Sequence, residues 1–304
     1  MSEVRRILVA VLGDPAAANL PDDTPLLSGG LGLESATVVR LLAAVHAETG
    51  VDVADEDLDL DSLATIGSLD AYVAGRAVRP AGNPVPGRRV GRRMRIGFVG
   101  AGNVGGTLAG LLAAAGHDVV VSNSRGPETL AGLVRRLGPK ARAATTTEAA
   151  EAGDVVVVAV PVGAYPELPA EPFAGKIVVD AGNYYPRRDG RIAELDSGRM
   201  TSAGLLADRL PAARVLKAFN TINSGRLRER CDATAPARDR LAIPMAGDDA
   251  AAKAVLTDLI DQIGLTAVDA GSLAESWRQE PGSPVYGAEV DPDQATALLA
   301  QARR

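Results

Sequence analysis

The chain has 304 residues, of which 46% are hydrophobic and 23% charged, with a net charge of −6. That balance suits a soluble globular protein of about two domains and excludes a disordered chain. The apolar run Val155–Val162 is eight residues long, far short of the roughly 20 that a spanning helix needs. The N-terminal segment shows no cleavable apolar core. With one cysteine, Cys231, and two histidines, neither a disulfide framework nor a zinc site is expected, and the expected compartment is the cytoplasm.

Charge is segregated along the chain. Residues 1–75 carry 13 acids and 3 bases, residues 76–95 carry 7 arginines and no acid, and the remainder carries 25 acids and 22 bases. An acidic block, a basic hinge and a near-neutral block imply two units with different partners. The basic stretch is short and lacks interleaved aromatics, so nucleic acid is not an expected partner, and neither is a membrane.

In the first block, Val4, Ile7, Leu8 and Val11 follow helical spacing and predict an amphipathic helix over 2–12, ended by Gly13-Asp14-Pro15. A long loop should follow. Val38, Leu41, Leu42 and Val45 predict a second helix from Ser35 to Thr49, stopped by Gly50. Short helical pieces at 62–65 and 68–74 complete a small all-α four-helix bundle, and acids crowd residues 48–61.

The segments Asp22-Asp23-Thr24-Pro25-Leu26-Leu27, Leu31-Gly-Leu-Glu-Ser-Ala, Gly50-Val-Asp-Val-Ala-Asp-Glu-Asp-Leu and Thr65-Ile-Gly-Ser-Leu-Asp-Ala-Tyr resemble an acyl or peptidyl carrier protein over essentially the whole block. The resemblance implies 4′-phosphopantetheine on Ser35, added by a phosphopantetheinyl transferase, with a further enzyme loading the cargo. A helix start favours a phosphodiester through its N–H groups and dipole. A plain N-cap is the alternative role for Ser35. The chain departs from the family's usual Asp-Ser-Leu, having Glu34-Ser35-Ala36.

Residues 76–93, with three prolines and three glycines, read as a flexible Arg/Pro/Gly linker. Its arginines either solubilise the segment or rest on the acidic block. The expected organisation is therefore 1–75, linker 76–93, and a second domain over 94–304.

The second domain opens with a β-rich run, Met94-Arg-Ile-Gly-Phe-Val-Gly, followed at once by Gly100-Ala-Gly102-Asn103-Val104-Gly105 and a helical stretch. Strand before and helix after give the GxGxxG pattern its dinucleotide meaning, although glycines kept only for strand–helix packing are the alternative. The next strand, Asp118–Ser122, ends in Asn123-Ser124-Arg125 where an NAD site carries an acid for the ribose hydroxyls. A carboxylate would repel a 2′-phosphate, whereas Ser124 and Arg125 can bind one, so NADP(H) is the expected cofactor.

Further strands are expected at 155–160, 176–181, 215–219, 241–246 and 266–269. Their Val-rich runs suit a parallel, doubly wound α/β (Rossmann) sheet. Ligands lie beyond the carboxyl ends of such strands, which places Val160-Pro161, Asn183-Tyr184-Tyr185 and Lys217-Ala-Phe-Asn220 near the nicotinamide. The segments 122–130, 183–190, 217–222 and Trp277-Arg-Gln-Glu-Pro-Gly-Ser-Pro-Val-Tyr286 resemble NADP-dependent oxidoreductases related to F420:NADP oxidoreductase. That family implies direct hydride transfer and a homodimer, with F420 as one conceivable acceptor.

Candidate catalytic residues are Lys217, Tyr184, Asn183 and Asn220, with Tyr185 beside them. A lysine in an apolar strand requires a partner or a path to the pocket. Four of the nine aromatics, Tyr184, Tyr185, Trp277 and Tyr286, fall in these segments and suit either a pocket wall or plain packing. His117 and His46 are expected to be a structural and a surface residue. Joining a carrier to a reductase suggests a substrate delivered as a thioester on Ser35 and reduced at a C=O or C=N group, in specialised biosynthesis. The linker would reach at most about 60 Å, giving roughly millimolar effective concentration. A carrier serving another enzyme, or a non-catalytic NADPH-binding scaffold, are the competing expectations.

Overall fold

The computed structural model describes residues 2–26, 31, 33, 35–49, 65–76 and 92–304, with the side chains of residues 35, 36, 46, 47 and 74–76 excepted. Most of the expected linker, the acidic stretch 50–61, the helical piece at 62–64, Glu34 and the His46 side chain lie outside the described residues. The chain divides into two compact units, 1–79 and 80–304.

The first unit is helical. Helix α1 (Glu3–Leu12) is capped by Ser2, whose hydroxyl accepts from Arg5 N, and it ends on left-handed Gly13. Where a loop was expected, Pro15–Asn19 forms a 3-10 helix, because Asp14 caps it and Pro15 starts it with a favourable φ. Helix α2 spans Ser35–Thr49 and α3 spans Ile66–Arg76. Val4, Ile7, Leu8, Leu41, Val45, Ile66, Leu69 and Val73 form one core. The segment 22–25 is pinned to the start of α3, since Gly67 N donates to Asp22 O at 2.7 Å and Ile66 N to Thr24 O at 3.0 Å.

The second unit is an eight-stranded sheet in the order β3-β2-β1-β4-β5-β6-β7-β8. Its elements in sequence are β1 (Arg95–Val99), α4 (Asn103–Ala114), β2 (Asp118–Ser122), α5 (Ala131–Leu137), β3 (Ala141–Ala143), α6 (Thr146–Ala152), β4 (Val155–Val158), β5 (Ile177–Asp180), α7 (Pro186–Asp189), α8 (Ala193–Asp196), α9 (Ser202–Arg209), β6 (Arg214–Ala218), α10 (Ser224–Arg230), β7 (Ala242–Gly247), α11 (Ala250–Gln262), β8 (Thr266–Asp269) and α12 (Pro292–Gln301). Strands β4 and β5 are buried at every position, as central parallel strands are.

The sheet is not wholly parallel, contrary to the sequence expectation. Strand β7 pairs antiparallel with β6, Lys217 standing opposite Ala246, and β8 is parallel to β7. The 218–242 connection, which carries the short α10, delivers the chain to the end of the sheet at which β6 leaves it. The 13-residue α11, about 20 Å long, then runs back along the sheet, so that β8 lies parallel to β7. Short β3, with little apolar signal, was not foreseen.

Candidate active site

The turn after β1 builds a phosphate cradle. Gly100 has φ +99°, and a side chain there would meet Ala159 O at 2.3 Å. A Cβ on Gly105 would lie 2.0 Å from Gly100 O, so helix and turn can meet only if both positions are glycine. Gly102 caps α4 without a side-chain hydrogen bond, leaving the first N–H groups of that helix for a ligand. The Asn103 amide nitrogen is buried without a hydrogen-bond partner, an orphan that a bound dinucleotide would satisfy. The cradle fits a pyrophosphate.

At the end of β2, Asn123 shapes the loop. Its side chain donates to Thr129 Oγ1 at 2.9 Å and accepts from Arg125 N at 3.0 Å. This Asx turn leaves Ser124 and Arg125 exposed, on the loop where the adenosine ribose of a dinucleotide lies.

The ends of β4, β5 and β6 converge beside it. Val160 and Pro161 follow β4, and Val160 Cγ1 lies 2.9 Å from where a Gly100 Cβ would stand. Asn183 and Asn220 face one another: Asn220 Nδ2 donates to Asn183 Oδ1 at 3.0 Å, and Asn183 Nδ2 donates to Asn220 O at 2.8 Å. Gln279 holds Asn220 from behind, donating to its Oδ1 at 2.9 Å while accepting at its own backbone O from Asn220 Nδ2 at 2.7 Å. Phe219, between Lys217 and Asn220, is the one non-glycine residue at positive φ (+65°) among those described. A strained residue there turns Asn220 out of the strand direction.

Lys217 and Tyr184, expected as candidate catalysts, have their polar atoms occupied elsewhere. Lys217 is fully buried, with Nζ donating to Asp180 Oδ2 at 3.0 Å, to Ser202 Oγ at 2.9 Å and to Gly182 O. All three ammonium protons are thereby used, and none remains for a substrate. Asp180 in turn accepts from Tyr165 OH at 2.5 Å and Gly182 N at 2.8 Å. Burial, with Asp180 adjacent, pushes the Tyr165 hydroxyl well above its ordinary pKa. Glu280 accepts from both Ser202 N and Ser202 Oγ at 2.7 and 2.8 Å, tying the 273–287 segment to α9. The Tyr184 hydroxyl accepts from Ile192 N at 2.9 Å and donates within reach of Asp196 and Gly190 O, so it braces its own loop. Partial burial, with Asp196 beside it, raises its pKa.

Tyr185 and Tyr286 were not paired in the sequence reading, yet their hydroxyls meet at 2.5 Å. His117 lies at the opposite end of the sheet. It accepts from Met94 N at 3.2 Å on Nδ1 and contacts Gln262 at 3.2 Å on Nε2, a structural arrangement. The partners Ser202, Gln279 and Glu280 were missed because nothing in local periodicity marks them. The nearest signal was their polar character inside segments otherwise apolar or resembling a family signature.

Fold and cradle together define a dinucleotide-binding oxidoreductase domain preceded by a helical carrier unit. Residues 95–184 match the family of NADP oxidoreductases described as coenzyme F420-dependent, and residues 2–73 match the phosphopantetheine attachment site family. The chain is thus a fusion of a phosphopantetheine carrier domain and an NADP oxidoreductase domain. It is similar to metalloreductase STEAP3 of Rattus norvegicus, 33% identical over 188 residues, a match covering 61% of this chain and 36% of that protein. Among solved structures it is similar to a hypothetical protein from Sinorhizobium meliloti (29% identity, TM-score 0.57, 66% of this chain and 96% of that one). It is also similar to a putative F420-dependent NADP reductase from Arthrobacter sp. FB24 (27% identity, TM-score 0.51, 61% and 87%). The match to the metalloreductase spans about a third of that protein's length. No described helix is long and apolar enough to cross a membrane.

Proposed function

We propose that this protein is an NADPH-dependent reductase acting on a C=O or C=N group of an acyl or aminoacyl chain carried on phosphopantetheine at Ser35, in a specialised biosynthetic pathway. The observation that carries the reading is the covalent union of the two domains, because tethering supplies the substrate to its own reductase at roughly millimolar effective concentration. Ser35 is the first residue of α2, where a phosphodiester is electrostatically favoured.

NADPH, when bound, supplies a hydride. In this reading the 100–105 turn and the α4 N-terminus hold its pyrophosphate, and Asn123, Ser124 and Arg125 select the 2′-phosphate. Val160, Pro161, Asn183 and Asn220 frame its nicotinamide. The Asn183–Asn220–Gln279 carboxamide chain orients that frame, and burial of Lys217 with Asp180 fixes the strand ends beneath it. Hydride transfer needs chiefly this positioning and the exclusion of water.

The test loads the full-length protein with an acetoacetyl-phosphopantetheine from acetoacetyl-coenzyme A and a broad-specificity phosphopantetheinyl transferase. Intact mass should rise by one loaded arm in the wild type and not in Ser35→Ala. NADPH oxidation should then be fast in the loaded protein, and Ser35→Ala should retain only the slow turnover of free acetoacetyl-pantetheine. Equal turnover of wild type and Ser35→Ala would sink the reading. A second reading, hydride exchange with F420 while the carrier serves another enzyme, is favoured by the family match over residues 95–184. F420 reduction by NADPH with no effect of loading Ser35 would select it.

A further inference from the structure

We infer that the paired hydroxyls of Tyr185 and Tyr286 are the proton-donating site of the second unit, and that its acceptor is therefore a polar double bond, a carbonyl or an imine. The inference rests on the reductase reading above and adds to it the group that completes the reaction.

The two tyrosines are 101 residues apart in sequence and their oxygens lie 2.5 Å apart. Each is attached to one of the strand ends that frame the nicotinamide position. Tyr185 stands two residues beyond Asn183. Tyr286 precedes Gly287, whose N–H donates to Thr221 O at 2.7 Å, one residue from Asn220. Arg188 bridges ring and frame: its guanidinium carbon is 5.0 Å from the Tyr185 ring centroid, and its Nη2 donates to Asn183 O at 2.5 Å. Asp189 locks the same loop to β4 and β5, accepting from Tyr185 N at 2.8 Å and Gly163 N at 3.2 Å. The ring is thus held by Arg188 and by the Tyr286 hydroxyl, and its backbone by Asp189.

The pair can act as a donor. Two hydroxyls carry two hydrogens, and one of them lies between the oxygens. In the arrangement in which Tyr286 donates to Tyr185, the Tyr185 hydrogen points away from Tyr286. Both residues are only partly buried, so a substrate can reach them. Lys217 and Tyr184 cannot serve, since their donors are occupied.

The step balances. A hydride from NADPH forms a C–H bond at the carbonyl or imine carbon, and the π pair moves to oxygen or nitrogen. That atom takes the Tyr185 proton, Tyr185 recovers one from Tyr286, and Tyr286 recovers one from water. NADPH is oxidised, and the double bond is reduced to an alcohol or an amine. A flavin-like ring has no such requirement, because its nitrogen can take a proton from water directly.

The experiment compares wild type, Tyr185→Phe and Tyr286→Phe in the full chain, using the acetoacetyl-loaded carrier and free 2-methyl-1-pyrroline as acceptors. NADPH affinity is read in parallel from cofactor fluorescence. Both variants keep the rings and should bind NADPH within about twofold of wild type. Tyr185→Phe should lose about 10²–10⁴-fold in turnover, and Tyr286→Phe less. Tyr185→Phe turnover within about twofold of wild type would overturn the inference while leaving the reductase reading intact. Loss of NADPH affinity in step with turnover would make the pair a structural strap and overturn it as well. A wild type that binds NADPH and reduces F420, but neither a carbonyl nor an imine, would overturn both.

Discussion

Lys217→Met removes the ammonium at the centre of the buried network and keeps most of the stem's volume. Asp180 Oδ2 then loses its partner at 3.0 Å, while Ser202 Oγ and Gly182 O each lose a donor. Breaking a buried pair from one side costs about 3–5 kcal/mol. Tyr165 OH and Gly182 N still serve Asp180 Oδ1, which places the expectation near the lower bound, about 3 kcal/mol. For a unit of this size that is a fall in Tm of about 6–12 °C. The assay is urea unfolding followed by Trp277, the single tryptophan, which reports the second unit alone. At unchanged m, the midpoint should fall by about 1 M or more. Lys217→Met/Asp180→Leu should recover part of the loss, because removing both charges leaves no uncompensated ion, while Tyr165 OH and Gly182 N lose their acceptor. A single variant with the wild-type midpoint, or a double variant worse than the single, would refute the account.

Two further outcomes test the cofactor loop and the loop of Tyr185. Arg125→Ala should weaken NADPH about 10-fold or more, the scale of a hydrogen bond to a charged group, and leave NADH nearly unchanged; equal losses measured by fluorescence titration would remove Arg125 from 2′-phosphate recognition. Burial alone would raise the Asp189 pKa, but hydrogen bonds from Arg188, Tyr185 N and Gly163 N hold it below the usual carboxylate range. A depressed folded pKa contributes stability above the unfolded value of about 3.9, lost as pH falls through the folded value. The urea midpoint of the wild type should therefore drop more steeply below about pH 4 than that of Asp189→Asn, and parallel pH profiles would contradict the assignment.

The sequence by itself determined everything that is written in short spacings. The 3.6-residue pattern placed α1 and α2, the strand–glycine–helix order placed the phosphate cradle, and the missing acid after β2 pointed to NADP. Each of these depends on residues within a few positions of one another, where local sterics and periodicity act. The carboxyl ends of β4, β5 and β6 were legible for the same reason, since a buried Val run ending in polar residues marks an edge.

Tertiary structure alone decided how those ends combine. Whether Lys217 faced a pocket or a partner depended on Asp180, 37 residues away, and on Ser202 from a helix between them. The Tyr185–Tyr286 pair joins segments 101 residues apart, and the Asn220–Gln279 link spans 59. No local pattern encodes such meetings, because the side chains are aligned by the register of β5 on β6 and by the return of the 273–287 segment over the sheet. The reversal of β7 has the same origin: its direction is set by where the 218–242 connection delivers the chain beside β6, with Lys217 opposite Ala246, and no local pattern states that.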